Sequence, residues 1–249
     1  MSGTQLEETY RYSIDSRIRF SEAGEDLRLS LGALINYFQD CSTQHAQDRG
    51  VGIPYLKKLH QAWIMVSWQI VIGELPLLGD PVRTSTWAYA FQDFFGKRNY
   101  ILTDPDGREY VRANGIWVLM DMDTGRPVRI DDATVNAYGV GPKLDMEYSS
   151  RKIRVASKGE PQEAFCIGRH HLDTNHHVNN GQYVTIAAEY LPEGFRIHKL
   201  RVEYRMQGKL GDEVVPYVSS GEGQIVVSLC NPGGNPYAVI EFLEGGNHL

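Results

Sequence analysis

Cysteine is scarce in this sequence and follows no pattern. The three present, Cys41, Cys166 and Cys230, are widely spaced and odd in number, which supplies neither a disulfide framework nor a paired metal-ligand set. A reducing, cytoplasmic setting is the expectation. Each lies in an apolar-periodic stretch, where a free cysteine packs as a small core residue, so none is expected to be a nucleophile. Long hydrophobic runs are missing too. Nothing approaches the roughly 20 apolar residues of a membrane helix, and the opening MSGTQLEETYRYS lacks the basic and apolar regions of a signal peptide; a soluble protein is expected. Nor is basic charge in excess. The net charge of −6 argues against a nucleic-acid partner, since phosphate binding wants a basic face; local basic patches are left open. The length of 249 residues suits one large domain or two of about 120, and either buries an adequate core.

Polar side chains concentrate in HHLDTNHHVNNGQY, His170 to Tyr183. Asp173, Asn175 and His177 stand at two-residue spacing, and in an extended segment alternate side chains project to one side, so the three can converge on one small volume. Asn179 followed by Gln182 has the form of an N-cap with its capping-box partner. Val184, Ala187, Ala188 and Leu191 follow at helical spacing, which predicts a helix over 179–191. Free N–H groups and a partial positive charge at its first turn would sit beside the imidazole and suit an oxyanion. The structural alternative is an Asx-type turn made by Asp173 and Asn175, with solvated histidines. A metal site of His170, His171, Asp173, His176 and His177 is a remote alternative, because every ligand would come from one short loop; no metal and no cofactor are expected.

Along the chain, Tyr10, Tyr12 and Ile14 alternate with polar neighbours in a strand over 9–20. Ser30 then caps a long helix reaching about Asp48, with Leu31, Leu34, Ile35, Phe38 and Cys41 as its buried stripe; Gln44 and His45 read as surface or core-edge residues. Strands follow at 62–72, with Ile64, Val66, Trp68, Ile70 and Ile72 on one face, and at 81–91, 97–103 and 109–120. Asp104 to Gly107 makes a hairpin turn, and Asp131 and Asp132 start a short helix. Residues 139–161 turn to glycine, proline, serine and mixed charge and read as a linker. The second half then repeats the first: a strand at 164–168, the helix after Asn179, and four strands near 198–205, 213–219, 224–230 and 237–243. Strand, helix and four strands, twice over, is an α+β unit in which one helix crosses a curved antiparallel sheet. The expected division is residues 1–138, a linker at 139–161, and residues 162–249.

Asp-x-Asn-x-His-Val-Asn-Asn at 173–180 resembles the active-site segment of acyl-acyl carrier protein thioesterases. NYFQDCSTQHAQDRG on the first helix and WVLMDMDTGRPVRI at the end of the first half extend that resemblance over essentially the whole chain. The resemblance implies two tandem hotdog domains, the first for the acyl chain and the second for catalysis, and a bacterial member, since no plastid transit segment is seen. It also implies hydrolysis of a fatty acyl thioester by water, with Asp173 activating the water, His177 holding it or shuttling its proton, and Asn175 positioning water or carbonyl. The plant enzymes carry a further Glu-Cys; here Gln207 and Gly208 stand in their places, so either Asp173 alone is the base or another acid such as Glu203 substitutes. Phe38 and Trp68 would border the acyl chain. The implied partner is an acidic acyl carrier protein, for which Arg151, Lys152, Arg154 and Lys158, or Arg196, Lys199, Arg201 and Arg205, are candidate contacts. An acyl-CoA thioesterase and a non-catalytic acyl-binding protein on the same fold are the alternatives, and oligomeric state is open.

Overall fold

The computed structural model describes residues 10–155 and 159–245. Thr9 at the start of the expected first strand, and the candidate cation Lys158, lie outside the described residues. Strand β1 (Tyr12–Arg17) is followed by helix α1 (Leu31–Asp48), a short α2 (Ile53–Lys58), then β2 (Gln61–Ile72), β3 (Pro81–Gln92), β4 (Phe95–Thr103), β5 (Glu109–Asp121), the short β6 (Arg126–Pro127) and α3 (Asp132–Tyr138). The second half runs β7 (Glu160–Pro161), β8 (Phe165–Cys166), α4 (Asn180–Ala188), β9 (Ile197–Tyr204), β10 (Glu213–Gly221), β11 (Gln224–Cys230) and β12 (Pro236–Glu244). All pairings are antiparallel.

The strands form one sheet in the order β1-β3-β4-β5-β2-β9-β12-β11-β10-β7. Each half therefore presents the first strand after its helices, β2 or β9, to the other, and Trp68 opposite Val202 and Ile70 opposite Leu200 lie at the seam. Helices α1 and α4 lie side by side across one face. They approach closely because both carry glycine at the crossing: a Cβ on Gly181 would sit 2.8 Å from the Gly32 carbonyl oxygen, and one on Gly32 would collide with Thr185 Oγ1. The Asn180 amide donates across the crossing to Gln39 Oε1 at 2.6 Å. Between helices and sheet lies a core containing Leu34, Ile35, Phe38, Trp68, Ile70, Val184, Ala187, Leu200, Val202 and Phe242. Each large side chain so buried is worth about 1.5–3 kcal/mol relative to exposure.

Local chemistry explains the helix ends. Ser30 Oγ accepts from Ala33 N–H, and Asp131 Oδ1 from Thr134 N–H, so both helices start where an N-cap side chain satisfies an orphan donor. The expected stripe of α1 is buried at Leu34, Ile35, Phe38 and Cys41, with Leu31 half-buried. Helix α2 is additional to the expected elements; Gly52 before it and Pro54 in its first turn are its signals.

Three expectations are corrected. In β2 the register shifts between Met65 and Ser67, so Val66 is a bulge and Met65, not Ile64 or Val66, joins Trp68 in the core. His45 is fully buried rather than at the surface, stacked on Tyr12 with its Nδ1 2.6 Å from the Arg98 guanidinium. Burial, then the Arg98 and Arg49 charges, hold His45 down at about 3. Cys166 is exposed, since β8 pairs for only two residues at the end of β10; Cys41 and Cys230 are buried as expected. The stretch after α3, expected as a linker, lies as a strap over the sheet face opposite the helices. There Gln69 bonds Glu147 O and Ser149 N–H, Asn99 Oδ1 accepts from Leu144 N–H and Tyr148 Oη, and Ile153 packs with Val226 and Val239.

Candidate functional site

The loop 168–179 is built twice. In the second half a 3-10 turn at Arg169–His171 leads to an isolated bridge between Leu172 and Val178, and His177 bridges Lys209. In the first half a 3-10 turn at Phe20–Glu22 leads to a bridge between Ala23 and Leu29, and Arg28 bridges Leu77. Most backbone bonds correspond, an exception being Leu78 N–H to Leu27 O at 2.7 Å, which has no counterpart between Leu210 and His176. Asp173 N–H donates to His177 O as Gly24 N–H does to Arg28 O, both at 2.8 Å; Asn179 N–H donates to His171 O as Ser30 N–H does to Glu22 O, both at 2.9 Å. His176 and Leu27 are both left-handed, with φ of 61° and 62°. On this correspondence Gly24, Asp26 and Arg28 occupy the places of Asp173, Asn175 and His177. The first half thus has the backbone of the motif without its carboxylate. Across the loop from 19 to 32 and from 168 to 181, only Gly32 and Gly181 are identical, too little for the repeat to be found by residue identity.

The turn changes which side chains gather. Residues 173–177 are not extended: Asp173 Oδ1 accepts from Asn175 N–H at 2.8 Å and from His177 N–H at 3.3 Å, an Asx-type turn, and His176 takes the left-handed conformation. The two-residue alternation expected for an extended segment therefore does not apply. A cleft of about 480 Å³ opens here, lined by Arg169, Leu172, Asp173, His176, Lys209 and Leu210. Of the three residues singled out from the sequence, Asp173 lines it. Asn175 is exposed at the tip of the turn and His177 is half-buried beside Lys209. Nothing in the sequence pointed to Arg169, Lys209 and Leu210, and His176 figured only in the metal alternative; they come from the loop and from the turn after β9, which the bridge between His177 and Lys209 and the bond from Val178 N–H to Gly208 O bring together.

Helix α4 starts where expected, with Asn179 Oδ1 accepting from Gly181 N–H at 2.7 Å and Asn179 O from Gln182 N–H at 2.9 Å. These bonds engage two of the first-turn donors, and the Asn180 N–H makes no hydrogen bond with the described residues. The turn after β9 is tied to the helix: Gly208 N–H donates to Tyr183 Oη at 2.9 Å and Gly208 O accepts from Val178 N–H at 2.9 Å. A Cβ on Gly208 would meet that hydroxyl at 2.9 Å and Val178 Cγ2 at 3.1 Å, so a side chain there would displace the Tyr183 hydroxyl. Burial, partly offset by the Gly208 bond, pushes the Tyr183 phenol up to about 12, which keeps it protonated.

Gln207 is exposed immediately before Gly208. In the duplicate loop Arg28 donates to Leu75 O and pairs with Glu74, at the positions corresponding to Gln207 and Met206; the 206–207 segment lies close in sequence to Lys209, which His177 bridges. Glu203 does not. It is buried on the opposite sheet face, where its carboxylate accepts from Ile153 N–H and Arg205, while its neighbours Val202 and Tyr204 face the helices, Tyr204 Oη donating to Asn180 O. The alternate placement of Glu203 in the site is therefore corrected. Lys199, Arg201 and Arg205 share its face and pair with Glu147, Glu241 and Glu203. Among the described residues no three His, Cys, Asp or Glu side chains form a ligand set for a metal, and His171 Nδ1 is occupied in accepting Gly168 N–H at 3.0 Å.

Family models match both halves: the Acyl-ACP thioesterase N-terminal domain over residues 9–138 and the C-terminal domain over 157–228. The chain belongs to the acyl-ACP thioesterase family. Its sequence is 28% identical over 247 residues to oleoyl-acyl carrier protein thioesterase 2 of Arabidopsis thaliana, covering 91% of this chain and 67% of the relative. It is 26% identical to the palmitoyl-acyl carrier protein thioesterase of Gossypium hirsutum, covering 79% and 52%. The chain thus spans between about half and two thirds of the length of these curated relatives. In structure it is similar to an acyl-ACP thioesterase from Bacteroides thetaiotaomicron, with TM-score 0.89 and 23% identity over 98% of this chain and 100% of that one. It is also similar to the 12:0-ACP thioesterase from Umbellularia californica, with TM-score 0.79 and 23% identity over 94% and 96%. The fold is the family's double hotdog, as the repeated strand and helix order implied. No helix among the described residues is long and apolar enough to cross a membrane.

Proposed function

We propose that this protein hydrolyses the thioester of a fatty acyl chain carried on an acyl carrier protein, releasing free fatty acid and carrier protein in the cytoplasm. The observation that carries the reading is Asp173: one carboxylate oxygen is pinned by two backbone N–H groups while the side chain lines the cleft beside the start of α4. A carboxylate so held is a fixed general base for water. His177 holds the water or passes its proton on, and Asn175 positions water or carbonyl once substrate draws the turn over itself. The Asn180 N–H and the positive end of α4 suit the tetrahedral oxyanion. No covalent intermediate is needed. Gln207 orients the water without accepting its proton, so Asp173 is the sole base.

The division of labour we propose follows the two halves: residues 1–138 receive the acyl chain, with Phe38 and Trp68 at its border, residues 139–161 connect, and residues 162–249 carry the chemistry. Phe38, Trp68 and Tyr100 pack ring on ring with centroids 4.8–5.9 Å apart, so a chain that reaches between them must part them. The test is fatty-acid release from a panel of acyl-carrier substrates, with product profiling for chain length. Release from coenzyme A esters alone would make it an acyl-CoA thioesterase; binding without release would make it an acyl-binding protein and remove the hydrolase reading.

A further inference from the structure

The duplicated loop supplies a control for reading the cleft. Its lining in the catalytic half, Arg169, His176, Lys209 and Leu210, corresponds in the other half to Phe20, Leu27, Leu77 and Leu78, all four exposed. The turns after β9 and after β2 match in detail: Lys209 N–H donates to Asp212 Oδ2 and Leu77 N–H to Asp80 Oδ2, both at 2.8 Å, and Gly211 and Gly79 are left-handed. The same backbone is thus built with phenylalanine and leucine where the catalytic half has arginine and lysine. Folding does not call for these cations.

Nor do they serve as partners for carboxylates. The Arg169 guanidinium and the Lys209 ammonium make no ion pair or side-chain hydrogen bond with the described residues. Lys199, Arg201 and Arg205, by contrast, are paired on the far sheet face. Two unpaired cations from separate segments, the loop and the turn, therefore flank the one cleft that contains Asp173. Such an arrangement raises the local concentration of an anionic ligand and orients it.

Resting on the hydrolase reading above, we propose that Arg169 and Lys209 form the subsite for the phosphate ester at the outer end of the substrate's pantetheine arm. That group is common to acyl carrier protein and coenzyme A thioesters. The thioester lies inward at Asp173 and the phosphate outward between the two cations. They bind and orient the arm and take no part in the chemical step.

The experiment compares S-acyl-4′-phosphopantetheine with S-acyl-pantetheine, which differ only by the phosphate, on the wild-type protein and on R169Q/K209Q. Both residues are exposed, so the double variant should fold, which circular dichroism checks. For the wild type, KM should be about tenfold lower for the phosphorylated substrate, as a charge-assisted contact implies. In the variant that advantage should vanish, with kcat changed less than about twofold and the pantetheine substrate unaffected. Acyl carrier protein and coenzyme A thioesters should lose affinity to a similar degree. A loss confined to the carrier protein would overturn the proposal in favour of contact with the carrier's acidic surface. Equal loss on the unphosphorylated substrate would overturn it in favour of a role in folding or chemistry, and no change on any substrate would also overturn it. A wild type inactive on every thioester would instead refute the hydrolase reading, and this subsite with it.

Discussion

Asp173 has two duties that substitution can separate. Its Oδ1 accepts Asn175 N–H at 2.8 Å and His177 N–H at 3.3 Å, and its carboxylate is the proposed base. Asp173→Asn keeps an amide oxygen able to accept the same two bonds but cannot take a proton from water. Structure should survive: the side chain is half-buried, hydrogen bonds of this kind contribute about 0.5–1.5 kcal/mol each, and the longer of the two contributes least. The melting temperature should shift by no more than a few degrees. Turnover should fall by about 10²- to 10⁴-fold, the usual worth of a general base. Asp173→Ala should show the same kinetic loss and in addition destabilise by about 1–2 kcal/mol, since the turn loses its acceptor. The assay is single-turnover release of fatty acid from an acyl-carrier thioester, read beside thermal denaturation. Asp173→Asn retaining more than about a tenth of wild-type turnover would refute its role as base. If Asn and Ala lose activity only in proportion to stability, the residue is a turn-former and nothing more.

Gln207→Glu should preserve or raise activity and alter its pH profile by adding a titratable group, whereas Gln207→Ala should cost less than Asp173→Asn; Glu203→Gln should leave the profile unchanged, and its collapse would show that the second position has been misassigned. Replacing Cys41, Cys166 and Cys230 together should leave turnover within a few-fold of wild type, a folded but inactive cysteine-free protein being the contrary result. Burial pushes the Cys41 thiol up to about 12, which disarms it as a nucleophile. His45, held at about 3 in the fold against an ordinary 6.5, binds more protons when unfolded. Its contribution to stability is present above about pH 6.5 and is lost progressively as pH falls towards 3. Replacing His45 with Gln should flatten that acid limb in chemical denaturation measured across pH; an unchanged slope would show that His45 is not its source.

Sequence alone determined what depends on near neighbours. Helix starts at Ser30, Asp131 and Asn179 follow from side chains that accept N–H groups two or three residues on. Long alternating strands follow from the pleat, and their order, twice repeated, fixed the α+β double hotdog. Asp173 was legible as a candidate site residue because the residues around it resemble the family's segment. Tertiary structure decided whatever depends on a partner distant in the chain. Val66 bulges because β2 must register with both β5 and β9, which rotates half a strand face. Glu203 faces away by strand alternation, and it is buried because the strap at 150–153 returns over that face, a contact no alternation pattern contains. His45 is interior because Arg98, 53 residues later, lies over it. The left-handed turn at His176 exchanged the expected convergence of Asp173, Asn175 and His177 for a cleft completed by Lys209, through the bridge to the segment after β9. Backbone hydrogen bonds, largely shared by the two loops despite almost no shared residues, set that geometry; the side chains placed on it decide that one loop has a carboxylate and two cations lining a cleft and the other an apolar surface.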